Sequence, residues 1–379
     1  MIQAETIVTS YIDINLLMVG SALIWFAGRQ IIKNSDAARA FAAQLHLVKI
    51  LLLVTFFFPA FLTFFSYYFA SASPIPVTLS ELVLAQFLQG NIEVNPSFLE
   101  SVLTFRQNVM TQLSDPNHVF ITLVLYGGLA TALFMVVRAL LTMHKLSRIL
   151  SEAHEWRTSG HLKLMLADRI RIPFSTRMWR YHYVVLPSTM LGNQIDMKVS
   201  VAHELQHLRQ RDVDWEFIFA LLTPVFFWNP AFHYFKREIE ELRELSCDQN
   251  VLKRGFLSAR EYCECLIRVC GGRFKRNNLF KLRVPEVALI QTRSGLFTTR
   301  PKKLLENRLM SAVTGGNGVI SRARLIVVAA MMISLAGTLS FAVQKPADWS
   351  HDRLMLSTII NLERLEKRNQ VGLGSYTAY

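Results

Sequence analysis

The sequence predicts a mainly α, integral membrane protein: four transmembrane helices and one long cytoplasmic segment that holds a small β-sheet and a re-entrant or interfacial apolar helical segment. Composition gives the first reason. Of 379 residues, 51% are hydrophobic and only 18% charged, and the mean hydropathy is +0.28. The second reason is four apolar stretches, each close to the roughly 20 residues a helix needs to cross a bilayer. The third is a net charge of +13 placed almost wholly in one segment, where 29 lysines and arginines between 144 and 322 face 17 acidic residues.

The spans run at about 14–32, 48–68, 120–143 and 323–343. Charged or turn-forming residues bound each, and the charged residues within these bounds, Arg29, Lys49, Arg138 and Arg324, lie near an end from which they can snorkel. Glu5 precedes the first, with no basic region before it and no small-residue cleavage site, so it reads as a retained span. Arg29, Lys33, Arg39 and Lys49 mark the loop after it as cytoplasmic. The 71–117 loop carries Glu81, Glu93, Glu100 and Asp115 against Arg106 and faces outward. Residues 1–143 then form a membrane domain with three spans, 144–322 a cytoplasmic domain, 323–343 the last span and 344–379 a short outward tail. Both termini lie outside a multi-pass protein of the inner (cytoplasmic) membrane, and the lipid bilayer is its first partner. The basic residues lack interleaved aromatics, so direct nucleic-acid binding is not expected.

Within the cytoplasmic domain, His161 to Leu186 suggests short strands: Leu162, Leu164 and Leu166, then Ile170 and Ile172, then Tyr183 to Leu186. A helix follows, from Gln194 or Asp196 to about Arg211. It carries His203-Glu204-Leu205-Gln206-His207, the HExxH spacing of zinc hydrolases. Positions four apart share a helix face, so both imidazoles can grip one Zn²⁺ while Glu204 acts as general base on water. A hydrolytic zinc site needs a third protein ligand. Glu244 and Asp248 stand four apart on a later acidic helix, which predicts Glu244 as that ligand and Asp248 as the acceptor of a ligand histidine's other ring N–H. Glu240 and Glu241 read as a solvated face, and they are the candidates should Glu244 not bind metal.

Between the two ligand helices, Trp215 to Phe235 is almost apolar enough to cross the membrane. A single crossing would put His203 and Glu244 on opposite sides. Pro224 and Asn229-Pro230 interrupt the run, so a broken pair that dips into the membrane surface and returns is expected. Cys247, Cys263, Cys265 and Cys270 fall on the reducing side, match no common zinc spacing, and read as small buried residues. His233 and Tyr234 are weighed as oxyanion donors against a packed aromatic pair, and Arg211 and Asp212 as helix-end or ligand-orienting groups.

His203 to His207 with Leu208-Arg209-Gln210-Arg211-Asp212, then Asn229-Pro230, then Arg243-Glu244-Leu245-Ser246-Cys247-Asp248, resembles the BlaR/MecR family of membrane metallopeptidases. Ile172-Pro173 and Val185-Leu186-Pro187 fit the same pattern, and the likeness extends over about residues 10–345. Family members are similar in turn to the CAAX prenyl protease and HtpX type, in which an ExxxD helix supplies the third ligand. The resemblance implies a gluzincin-like zinc metalloendopeptidase with Zn²⁺ as cofactor, Glu244 as ligand and Asp248 as its helper. It further implies an antirepressor in signal transduction, cutting a cytoplasmic repressor of the BlaI/MecI type and itself; the sequence's own candidate for a self-cleavage loop is the basic stretch Gly271 to Lys303. An outward sensor partner and a homodimer are compatible with it. The chain departs from the family in the tail: after Val343 there are 36 residues and no Ser-x-x-Lys, so covalent β-lactam sensing by this chain is not expected. Leu354, Leu356, Ile359, Ile360, Leu362 and Leu365 give the tail a short amphipathic helix for the membrane surface or a partner. The alternatives are an HtpX- or CAAX-like quality-control or processing protease, and a non-enzymatic membrane scaffold.

Overall fold

The computed structural model describes residues 2–34, 36–69, 84, 86–92, 94–101, 119–178, 180–271, 287–288, 301–314, 322–343, 355–362 and 365. Most of the 71–117 loop, most of the 271–303 stretch and much of the tail lie outside them. The chain is mainly helical, with one small mixed sheet. In order come α1 (Ile2–Lys33), α2 (Phe41–Phe69), α3 (Val119–Glu152), β1 (His154–Ser159), β2 (Leu162–Ala167), β3 (Phe174–Met178) and β4 (Tyr181–Pro187). These are followed by α4 (Gln194–Arg209), α5 (Asp212–Phe226), α6 (Pro230–Leu252), α7 (Ala259–Gly271), β5 (Val287–Ala288), α8 (Pro301–Thr314) and α9 (Arg322–Val343). Among the described residues, three stretches are long and apolar enough to cross a membrane: Ser10–Lys33, Phe41–Phe61 and Thr122–Glu152. The fourth expected span is α9, whose apolar part Arg324–Ser340 is shorter.

Contacts divide the chain into two units, one of Met1–Ile24, Leu51–Gly128 and Met331–Tyr379, the other of Trp25–Ile50 and Leu129–Ala330. In the first, Thr55 on α2 donates to Ser21 Oγ on α1 at 2.8 Å. Gly20 allows Leu339 of α9 to lie directly against α1, where any Cβ would collide with it. The tail helix over 355–362 packs Leu356 and Ile360 on Leu84 and Leu99, so one apolar face is met by the chain's own loop.

The second unit carries the sheet, ordered β1-β2-β4-β3-β5. β2 and β4 are parallel, with Leu164 opposite Val184, and the other pairs are antiparallel. The end of α3 covers one face, where Leu146 and Leu150 meet Met165, Phe174 and Val185. Ile170 and Ile172 are not in a strand, contrary to the expected alternation: they sit in the turn before Pro173, and the pairing strand is Phe174–Met178. The helices α4, α6, α7 and α8 share a second core around Val199, Cys247, Val251, Tyr262, Cys265, Leu266 and Ala312. Each large apolar group buried there contributes about 1.5–3 kcal/mol.

Three local devices shape the chain around α4. Asn193 caps its start, its side-chain oxygen accepting from Ile195 N at 3.1 Å and Asp196 N at 3.3 Å. Its end comes earlier than the expected Arg211, because Arg211 takes a left-handed conformation (φ 55°) that stops the helix and redirects the chain into α5. After α5, Asn229 caps α6 by accepting from Ala231 N at 2.9 Å, and Pro230 occupies the first turn, where its missing N–H is harmless. The apolar run from Trp215 to Phe235 is thus two helices joined by a turn. His233 is part of that turn: its Nε2 lies 2.7 Å from the Phe227 carbonyl, to which it donates.

Candidate metal centre

The face of α4 that carries His203, Glu204 and His207 is turned inward, and all three side chains are fully buried. Across from it, α6 presents Glu244 and Asp248, also buried. The two histidine Nε2 atoms stand 3.0 Å apart. Glu244 reaches both: Oε2 lies 3.7 Å from His203 Nε2 and Oε1 3.8 Å from His207 Nε2. Three ligand groups from two helices therefore converge on one point.

Hydrogen bonding on the far side of each ring fixes what those nitrogens are. His207 Nδ1 is 3.0 Å from Asp212 Oδ2, and an ionised carboxylate only accepts, so Nδ1 carries the proton and Nε2 is bare. Tyr262 donates to Asp248 Oδ1, which leaves the tyrosine oxygen free to accept from His203 Nδ1 at 2.9 Å. His203 Nε2 is bare as well. Two lone pairs facing each other across 3.0 Å repel unless a cation lies between them. In a tetrahedral zinc site with Zn–N near 2.0–2.1 Å, such nitrogens stand roughly 3.3 Å apart. Both Glu244 oxygens are also buried without a hydrogen-bond partner among the described residues. The donor set fits a zinc ion.

The charges around Glu244 keep it ionised. Burial alone would raise its pKa, but Arg308 at 3.2 Å, His207, His203 and Arg243 hold the carboxyl well below the usual range. Arg308 also grips Asp248 through Nε and a terminal nitrogen, both at 2.7 Å. Burial lowers the pKa of His203, as suits a neutral ligand. For His207 burial acts the same way, but Glu244 and Asp212 outweigh it and the pKa is raised. Glu204 differs from Glu244. Burial raises it to about 7 against the opposing pull of His207, and both its oxygens lack a hydrogen-bond partner among the described residues. It stands beside Ser175 of β3.

Cys247 offers a different third ligand, since its sulfur groups with the two histidines within 4.8 Å. Its contacts argue against it. The thiol lies 3.5 Å from His203 Nδ1, the protonated side, and 3.4 Å from the His203 carbonyl, to which it donates. Burial raises its pKa well above the ordinary thiol value, which disfavours the thiolate a metal needs. The remaining described cysteine side chains are distant in role: Cys265 is buried, its pKa pushed up to about 12, and Cys263 is half-buried.

The structure thus brings together all five residues selected from sequence: His203, Glu204, His207, Glu244 and Asp248. It adds Tyr262 from α7, Arg308 from α8 and Asp212 at the start of α5. Asp212 had a sequence signal, five residues past His207. Tyr262 and Arg308 had none.

The family described as BlaR1 peptidase M56 matches residues 13–293. The regulatory protein BlaR1 of Bacillus licheniformis is 33% identical over 72 residues, which is 19% of this chain and 12% of that protein. The methicillin resistance mecR1 protein of Staphylococcus aureus is 29% identical over 72 residues, 18% of this chain and 12% of that protein. The same figures hold for the mecR1 protein of Staphylococcus epidermidis. The matched segment therefore spans 12% of the length of these relatives.

Proposed function

This chain belongs to the BlaR1 peptidase M56 family, and from that premise we propose that it is a membrane-embedded zinc metalloendopeptidase held by His203, His207 and Glu244, with Glu204 as general base. The observation that carries the reading is the pair of bare, buried imidazole nitrogens facing each other beside the buried Glu244 carboxylate. Zinc bound there would polarise the scissile carbonyl and acidify the attacking water. The remaining chemistry falls to the chain. Glu204, poised near neutrality, accepts a proton from that water and returns it to the leaving amine. Asp212 and the Tyr262–Asp248 pair hold the two rings in the tautomers that point their lone pairs inward.

The substrate reading is a cytoplasmic transcriptional repressor, in keeping with the regulatory role in the name of the Bacillus relative. Self-cleavage is the second part of it. Val287–Ala288, inside the basic 271–303 stretch, lies antiparallel on β3 opposite Ser175 and Phe174. That is how a substrate strand adds to an open sheet edge beside a catalytic helix, and Ser175 is the neighbour of Glu204. The membrane reading is four spans with both termini outward and residues 144–322 on the cytoplasmic face of the inner membrane. It is supported by the lysine and arginine distribution and by three apolar helices.

The test compares cells carrying the wild-type chain with cells carrying Glu204→Gln. Repressor and its fragments are followed by mass spectrometry together with the chain itself. Cleavage of both is expected only with Glu204. Equal repressor loss in the two strains would overturn the substrate reading.

A further inference from the structure

Lys49 is the least expected residue near the centre. It lies on α2, an apolar helix long enough to cross a membrane, yet its side chain is 9% exposed and its Nζ stands 3.2 Å from Oδ1 of the fully buried Asp212. The aliphatic stem leads the ammonium over the Trp215 ring, 5.3 Å from its centroid. Asp212 divides its two oxygens between two partners, with Oδ1 toward Lys49 and Oδ2 toward His207 Nδ1 at 3.0 Å.

That division makes the two contacts dependent on one another. Asp212 is 0% exposed, and the Lys49 contact at Oδ1 sets the orientation in which Oδ2 accepts from His207 Nδ1 and leaves the ring's Nε2 pointing inward. Without the ammonium, Oδ1 loses that contact and the carboxylate can turn about its Cβ–Cγ bond, which draws Oδ2 away from His207 Nδ1 and removes the acceptor that fixes the ring's orientation. The charge-assisted contact is also short-ranged: a shift of about 1 Å in α2 carries the ion pair beyond the distance at which it is a hydrogen bond.

We propose that Lys49 is a positioning residue for His207, acting through Asp212, so that the geometry of the metal centre depends on the placement of α2 as well as on α4 and α6. The inference rests on the zinc reading above. It gives the apolar helix a direct chemical connection to a ligand, through three side chains in series.

The test uses the full chain purified in detergent. Zinc affinity is measured by chelator competition, and the ligand field by the visible absorption of the Co²⁺-loaded protein, for wild type, Lys49→Met, Asp212→Asn and the double variant. Each single variant is expected to weaken zinc binding by about 10–100-fold and to alter the cobalt bands. The double variant should be no weaker than the weaker single, because the two act on one ring. Unchanged affinity and unchanged bands in Lys49→Met, with only a lowered melting temperature, would show a merely structural lysine and overturn the proposal. So would losses that multiply in the double variant. If Lys49→Met alone does not fold, the comparison is made in the Asp212→Asn background, where no added effect supports the proposal and a further loss of affinity overturns it. A wild-type chain that binds no zinc overturns the metal reading itself, whereas zinc-binding wild type with an indifferent Lys49→Met overturns this inference alone.

Discussion

Two imidazole nitrogens that face each other unprotonated inside a protein are stable only around a positive charge. At the residue scale this decides which groups are ligands and which are helpers. Glu204 stands beside the Ser175 hydroxyl, and burial raises its pKa to about 7, whereas Glu244 is held ionised by Arg308, His207, His203 and Arg243. Purified Glu204→Gln should therefore keep its zinc and lose about 10²–10⁴-fold in peptide cleavage, measured on a peptide spanning a mapped cut site. Retained cleavage would remove Glu204 from its role as base. The histidines, Glu204, Glu244 and Asp248 were legible in the sequence because each set lies within two turns of one helix, where spacing alone fixes the shared face. Tyr262, Arg308 and Lys49 were not. They lie 59, 60 and 163 positions from the partners they hold, and no local periodicity encodes such a meeting.

At the scale of elements, α4 is the part on which the centre depends, and its start is secured twice. Asn193 satisfies two first-turn N–H groups, and Arg268 of α7 holds Asp196 through contacts of 2.6 and 3.1 Å. Replacing Asn193 by alanine should lower stability by about 1 kcal/mol in chemical denaturation. The Arg268 contact carries a pH signature. The guanidinium beside Asp196 lowers its pKa in the folded state, so the stabilisation is fully present above the unfolded value of about 3.9 and is lost as pH falls through the folded one. The melting-temperature gap between wild type and Arg268→Met should be largest at neutral pH and close below about pH 4. A gap that persists unchanged at pH 3 would contradict this. The strands were less legible than the helices. β1 is exposed along its whole length and shows no alternation, and β3 buries Ser175 and Thr176, whose polarity conceals it. β2 and β4 were readable from their leucines and valines.

At the scale of the whole molecule, hydropathy located the long apolar helices but misreads the run between the ligand helices. Ile218, Leu221, Val225 and Trp228 are exposed on the α5–α6 pair, as a membrane-inserted tip would be, while Phe219, Phe226 and Phe232 stack inside it. What corrects hydropathy is the need to bring His203 and Glu244 together. Single cysteines placed at Gly160 and Gly255, two open turns, should react with a membrane-impermeant reagent only from the cytoplasmic side, and one at Gly90 only from outside. Labelling of Gly160 and Gly255 from opposite sides would break the proposed topology and the metal site with it. The site itself is tested most directly by metal analysis of the purified chain against two variants, Glu244→Ala and Cys247→Ala. About one zinc per chain is expected in wild type and Cys247→Ala, with loss in Glu244→Ala. Zinc that persists without Glu244 and disappears without Cys247 would contradict the ligand set on which the proposed chemistry depends.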